Sequence, residues 1–98
     1  MPVYVFAKVQ NISDHSLYKK YAEENSKIVK KFGGKFLYRN NQRELIEGNQ
    51  IDDRLVILEF DTKEDAKNWY YSQEYQQARN IRKEIADASI YILDQFNQ

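Results

Sequence analysis

The stretch Arg54-Leu55-Val56-Ile57-Leu58-Glu59-Phe60 is the most apolar run of the 98-residue chain. Its length and its branched side chains are typical of a β-strand. Thr62 follows as a candidate N-cap with Asp65 at the third helical position, a partial capping box that predicts a helix over 63–71. This strand is therefore the predicted centre of the fold, and its one carboxylate, Glu59, is the first candidate for chemistry.

The chain before this strand predicts one strand and one long helix. Alternating apolar side chains predict a strand over 3–9. Apolar residues at helical spacing predict an amphipathic helix over 14–32, with Ser13 as its N-cap. Gly33-Gly34 is expected to end this helix, because glycine readily adopts the left-handed conformation that follows a helix.

The remaining segments complete a six-element order. A second strand is predicted over 35–38, interrupted by a bulge or bend at 40–41 and resumed over 43–47. Ser72 is expected to cap a further helical stretch, and a fourth strand is predicted over 88–93. The order strand, helix, strand, strand, helix, strand predicts a single α+β domain over 1–98 with the ferredoxin-like fold, a four-stranded antiparallel sheet with helices on one face.

Composition narrows the classes of function. Lys+Arg and Asp+Glu are 15 each, so the formal net charge is zero. This balance argues against nucleic acid or an anionic membrane as a main partner, because both favour a basic excess. The chain has no cysteine, which is compatible with the cytoplasm that we predict as its location. Aromatic residues make up 14%, with eight tyrosines, which indicates an aromatic pocket or interface.

The central strand is apolar on both of its faces. Leu55 and Ile57 alternate with Val56, Leu58 and Phe60, and the first and last strands show the same two-sided pattern. Helices of one chain cover only one face of such a sheet, and a monomer does not tolerate a large exposed apolar face. We therefore predict a homodimer packed sheet to sheet. A different protein partner or a small-molecule cavity are the alternatives.

The whole chain resembles the domain of unknown function 1330 family of the dimeric α/β-barrel superfamily. The resemblance rests on several blocks in order and spacing: Asp14 with Tyr18-Lys19-Lys20-Tyr21, Gly33-Gly34-Lys35-Phe36-Leu37-Tyr38-Arg39, Glu47-Gly48, Arg54-Leu55-Val56-Ile57-Leu58-Glu59-Phe60, Trp69-Tyr70-Tyr71-Ser72-Gln73-Glu74-Tyr75-Gln76 and Arg82. It implies a ferredoxin-like subunit and a homodimer whose sheets face each other. It implies no settled activity.

Glu59 and Tyr18 are the candidate catalytic residues. A carboxylate in a half-buried pocket can serve as a general base. The alternative is a structural ion pair, for which Arg39 or Arg82 is the expected partner. Tyr18 could donate or accept a proton, although an ordinary tyrosine pKa near 10 makes it a poor base at neutral pH.

The candidate ligand-binding residues are tyrosines, a tryptophan and arginines: Tyr21, Arg39, Trp69, Tyr75 and Arg82. Either arginine could grip a carboxylate through two hydrogen bonds, or form a structural salt bridge instead. The aromatic residues could equally form the core. The single histidine, His15, is expected on the surface, and no metal site is predicted.

Two functional hypotheses follow. The first is a small-molecule-binding protein or cofactor-independent enzyme that acts on a small anionic or aromatic organic compound in a pocket between sheet and helices. The second is a non-catalytic homodimeric module, in which the aromatic residues are core and the charges structural. Binding of nucleic acid and association with a membrane are not expected.

Overall fold

Four strands form one antiparallel sheet in the order β2-β3-β1-β4, and three helices cover one of its faces. The structure is a computed structural model and describes residues 2–39 and 42–94. The elements in chain order are β1 (Val3–Gln10), α1 (His15–Lys31), β2 (Lys35–Tyr38), β3 (Arg54–Phe60), α2 (Lys63–Tyr71), α3 (Gln73–Lys83) and β4 (Asp87–Leu93). This is the ferredoxin-like arrangement that the sequence predicts.

Polar side chains cap the helices, with one difference from the prediction. Thr62 caps α2 by accepting from the Asp65 amide, and Ser72 caps α3 by accepting from the Tyr75 amide, each at 3.0 Å. The N-cap of α1 is Asp14 and not Ser13, because the Asp14 carboxylate accepts from Leu17 N at 3.0 Å. Ser13 is instead held by its own amide, which donates to the Ile85 carbonyl. This bond ties the start of α1 to the end of α3.

The prediction that the second strand resumes over 43–47 is wrong. The chain there is irregular and exposed, and Ile46 is almost fully accessible to solvent. Two adjacent apolar residues without a neighbouring strand do not form a ladder. The expected bulge at 40–41 lies outside the described residues. The register irregularity that the structure does show falls between Phe36 and Tyr38, where β2 pairs with β3.

The strand register assigns each residue of β3 to one face of the sheet. Val5 lies between Leu58 of β3 and Ile92 of β4, and these side chains share the helix-covered face. Because side chains alternate along a strand, Arg54 also belongs to this face. The core lies here and includes Phe60, which is completely buried.

The helix-free face also carries large apolar side chains. Phe6 pairs with Ile57 on one side and with Tyr91 on the other. Tyr91 is 54% exposed and Leu93 is 47% exposed, so the described part of the chain leaves this face partly uncovered. We call the surface formed by Tyr4, Phe6, Ile57, Tyr91 and Leu93 the open sheet face.

A close approach at Gly34 fixes the end of α1 against the sheet. A Cβ atom at this position would lie 2.5 Å from the Phe60 ring and 2.8 Å from Val29. Gly33 has φ of +82°, the left-handed conformation expected after a helix.

Within residues 2–39 and 42–94, every helix is too short or too polar to cross a membrane.

Candidate functional site

A small cavity lies between the sheet and the helices. Its volume is about 40 Å³, and aliphatic residues of β1, β3 and β4 form its floor. Tyr18, Tyr21 and Trp69 line it from the helix side. Among the described residues, every charged group that lines this cavity is an arginine: Arg39, Arg54 and Arg82.

Arg82 is the most deeply buried of these arginines. It lies on α3 and is only 5% exposed. Its Cζ lies 5.6 Å from the centre of the Tyr21 ring. The Nε atom of Arg82 has no hydrogen-bond partner within the described part of the chain, nor is a carboxylate there paired with this guanidinium. A buried charge is costly to a fold unless it is paired and hydrogen-bonded.

The aromatic residues form a connected cluster around this guanidinium. The hydroxyls of Tyr21 and Tyr75 are 2.9 Å apart, and the rings of Tyr18 and Tyr21 are 5.5 Å apart. Trp69 Nε1 donates to Asn25 Oδ1 at 2.9 Å, which satisfies a buried indole. Tyr75 is completely buried behind Tyr21 and supports the wall of the cavity from outside.

The environment keeps these groups in defined protonation states. Burial raises the pKa of Tyr18, and the positive charges of Arg54 and Arg82 oppose this increase only in part. Burial, together with the Tyr75 hydroxyl, raises the pKa of Tyr21 well above its usual value. Burial acts to lower the pKa of Arg82, but the hydroxyls of Tyr75 and Tyr21 leave that pKa above its ordinary value. At neutral pH the cavity therefore contains a positive charge and neutral hydroxyls, which favour a negatively charged guest.

Arg39 and Arg54 lie nearer the surface. Arg39 Nη1 donates to Ser26 Oγ at 2.8 Å, and its guanidinium lies over the Phe36 ring. The Cζ of Arg54 lies 5.2 Å from the centre of the Tyr18 ring. Arg54 is not among the site residues predicted from the sequence. Arg54 lies four and six residues before the buried Leu58 and Phe60 in β3. Because side chains alternate along a strand, this spacing indicates that all three share one face.

Glu59 lies on the opposite side of the sheet from this cavity. It pairs with Tyr4 across the strands and forms an ion pair with Lys35 at 3.1 Å. The expected pairing with Arg39 or Arg82 is wrong, because side-chain alternation directs residue 59 to the open sheet face. A catalytic role for Glu59 stays a prediction and involves a location separate from the arginine cavity.

Two surface grooves meet the cavity at its ends. The first has a volume of about 340 Å³ and is lined by Ala66, Lys67, Trp69, Tyr70, Tyr71, Arg79, Arg82, Ala88, Ile90 and Ile92. We call it the β4 groove. The second, the α1 groove, has a volume of about 430 Å³ and includes Asn11, Ile12, His15, Tyr18, Lys19, Asp52 and Arg54. The cavity and the β4 groove share Trp69, Arg82, Ala88 and Ile90.

His15 is exposed, as expected from its place in the first turn of α1. In the described ranges, His, Asp and Glu side chains nowhere form a group of three that could hold a metal ion.

The fold defines the class of the protein, an α+β chain with a four-stranded antiparallel sheet in the ferredoxin-like arrangement. The chain belongs to the family described as domain of unknown function 1330, whose model matches residues 2–96. No curated protein sequence matches it significantly.

Solved structures of other proteins share this fold. A protein of unknown function from Rhodopseudomonas palustris is 16% identical and has a TM-score of 0.75, with 99% of this chain and 84% of that chain covered. SnoaB, a cofactor-independent oxygenase from Streptomyces nogalater, is 7% identical with a TM-score of 0.72, covering 99% and 95%. A provisionally assigned antibiotic biosynthesis monooxygenase from Caulobacter crescentus CB15 is 14% identical with a TM-score of 0.70, covering 98% and 91%. At these identities the similarity establishes the fold alone.

Proposed function

We propose that this protein binds a small anionic or aromatic organic compound, with the negative group of the ligand in the cavity beside Arg82. The observation that carries the proposal is the buried guanidinium of Arg82, whose Nε lacks a partner among the described residues. A carboxylate, phenolate or enolate oxygen supplies the missing acceptor and the missing counter-charge in one step.

The same surroundings can support chemistry without a cofactor. A preorganised positive charge in a site shielded from water stabilises negative charge that develops on a substrate oxygen. Arg82 provides the charge, and Tyr18 provides a hydroxyl that is protonated at neutral pH and can donate a hydrogen bond or a proton. The name of SnoaB, a cofactor-independent oxygenase, is consistent with such a reaction on this fold. We therefore propose a small-molecule-binding protein or a cofactor-independent enzyme.

Ligand binding is tested first by thermal shift and calorimetry with a panel of small carboxylates and phenols. A ligand present at about 100 times its Kd stabilises the folded protein by about 2.7 kcal/mol. We expect anionic members of the panel to bind, and Arg82→Gln to abolish the effect. Lys83→Gln is the matched control, because it removes the same charge from the neighbouring, exposed position of α3.

Failure of the whole anion panel to bind, or binding that Arg82→Gln leaves unchanged, would refute this function. The second hypothesis, a non-catalytic dimeric module, would then account for the chain.

We also propose that two copies pack through the open sheet face, because its exposed Tyr91 and Leu93 continue an apolar surface that includes Phe6. The measurement is molar mass by light scattering. We expect a dimer that Tyr91→Lys converts to a monomer, whereas Tyr71→Lys, on the exposed surface of α2, leaves it intact. A monomeric wild type would refute the proposal. The cytoplasmic location stays a prediction.

A further inference from the structure

The volume of the cavity limits which part of a ligand it can hold. A buried water needs roughly 10–15 Å³ of free space, so a cavity of about 40 Å³ accepts a group the size of a carboxylate. An aromatic ring or an alkyl chain does not fit beside it. The rest of any organic ligand must therefore extend into one of the two adjoining grooves.

Charge distinguishes the two grooves. Among the residues that the structure describes, the charged ones that line the β4 groove are all basic, namely Lys67, Arg79 and Arg82. The α1 groove contains the carboxylate of Asp52 beside its basic residues. An anion approaching the cavity is attracted along the β4 groove and meets a carboxylate in the α1 groove.

The surface of the β4 groove also suits the body of such a ligand. Ala88, Ile90 and Ile92 follow one another on the helix-covered face of β4, and Tyr70 contributes to the same groove. Its volume of about 340 Å³ falls in the range of about 300–1,000 Å³ that is usual for small-molecule sites. An apolar floor that begins at a buried guanidinium is complementary to an amphipathic anion.

We propose that the ligand is an elongated amphipathic carboxylate, whose head lies at Arg82 and whose apolar body lies in the β4 groove against Ala88, Ile90 and Ile92. This inference rests on the proposed function and specifies its ligand. Arg82, which borders both spaces, joins the two halves of the site. Lys67 and Arg79 at the groove attract the anion during entry.

The test is a calorimetric series of straight-chain monocarboxylates from acetate to octanoate. Each methylene that enters an apolar groove increases affinity by up to about fourfold. We expect affinity to increase with chain length in the wild type. Ile92→Phe should narrow the groove and reduce octanoate affinity at least tenfold, with little effect on acetate.

Ile12→Phe is the matched control, because Ile12 lines the α1 groove and has similar, partial burial. A second pair of variants changes only exposed charges: Lys67→Glu in the β4 groove and Lys19→Glu in the α1 groove. At low salt, Lys67→Glu should weaken octanoate several-fold more than Lys19→Glu. This pair keeps the test decisive even if Ile92→Phe does not fold.

Two results would overturn the inference while the proposed function stands. One is binding of short carboxylates that depends on Arg82 but does not increase with chain length. The other is a greater loss of octanoate affinity from the α1-groove variants than from the β4-groove variants. If acetate and octanoate both fail to bind and phenols fail as well, the proposed function itself is refuted.

Discussion

Replacing Arg82 with methionine separates a binding residue from a structural one. Methionine keeps an unbranched stem of similar length and removes the guanidinium. Arg82 Nε is a buried donor that lacks a partner, and its removal should increase the free energy of unfolding by about 1–3 kcal/mol. The lost contact with the Tyr21 ring costs about 0.5–2 kcal/mol. The hydroxyls of Tyr21 and Tyr75 still bond to each other, so neither is left unpaired.

The free energy of unfolding of Arg82→Met should therefore lie between about 1 kcal/mol below and about 2.5 kcal/mol above the wild type. Urea denaturation at fixed protein concentration measures this difference. Thermal unfolding provides a second measure, in which 1 kcal/mol corresponds to about 4–8 °C for a chain of this size. The stabilisation by carboxylates seen in the wild type should be absent.

A loss of about 3–5 kcal/mol would refute the reasoning, because that is the effect of breaking a buried ion pair. Arg82→Lys serves as the companion variant. It keeps the charge but loses the planar fork, so carboxylate binding should weaken without disappearing.

Three further predictions concern the core, the alkaline limit of stability and the open sheet face. Gly34→Ala should destabilise the protein by about 1–3 kcal/mol or more in urea, because its Cβ would lie 2.5 Å from the Phe60 ring. Tyr21 contributes stability below the unfolded-state pKa of about 10, and this contribution is lost as pH rises towards its raised folded-state pKa; Tyr21→Phe should flatten the decline of Tm at alkaline pH. Glu59→Gln should change stability by less than about 1 kcal/mol, since its partner Lys35 is largely exposed, and should leave carboxylate binding unchanged.

Each of these predictions has a control or an opposing result. Gly33→Ala meets no atom within 4 Å and bears only the cost of a left-handed alanine, about 1–2 kcal/mol; if it destabilises more than Gly34→Ala, the packing argument fails. An unchanged alkaline profile in Tyr21→Phe would contradict the assigned titration. Loss of carboxylate binding in Glu59→Gln would mean that the two faces of the sheet communicate.

The apolar pattern of the sequence was sufficient to predict β3, whose bounds match the prediction at Arg54 and Phe60. Polar residues flank the run on both sides, so the first and last residues of the strand are well defined by the sequence. The prediction over 43–47 failed because Leu45 and Ile46 resemble a strand locally. Whether a strand forms depends on a neighbour for its backbone groups, and local sequence does not contain that information.

The positions of the candidate residues were predicted only in part, for a related reason. Tyr75 and Arg82 were both candidate ligand-binding residues in the sequence, and the structure brings both to the aromatic cluster. Glu59 was assigned to the same space because β3 is apolar on both faces, so hydrophobicity could not indicate which face the helices cover. Only the pairing of β3 with β1, which aligns Leu58 with the buried Val5, resolves this point.

Because side chains alternate along β3, its residues form two sets that face opposite sides of the sheet. Positions 54, 56 and 58 border the arginine cavity, whereas 55, 57 and 59 belong to the opposite surface. If the ligand and the dimer are as we propose, substitutions on one face tune ligand preference without altering assembly, and the reverse also holds. A deletion of one residue within this strand has a different effect, because every side chain after the deletion would move to the opposite face of the sheet. Glu59 would then face the arginines. The strand should accept many changes of side chain and almost none of length.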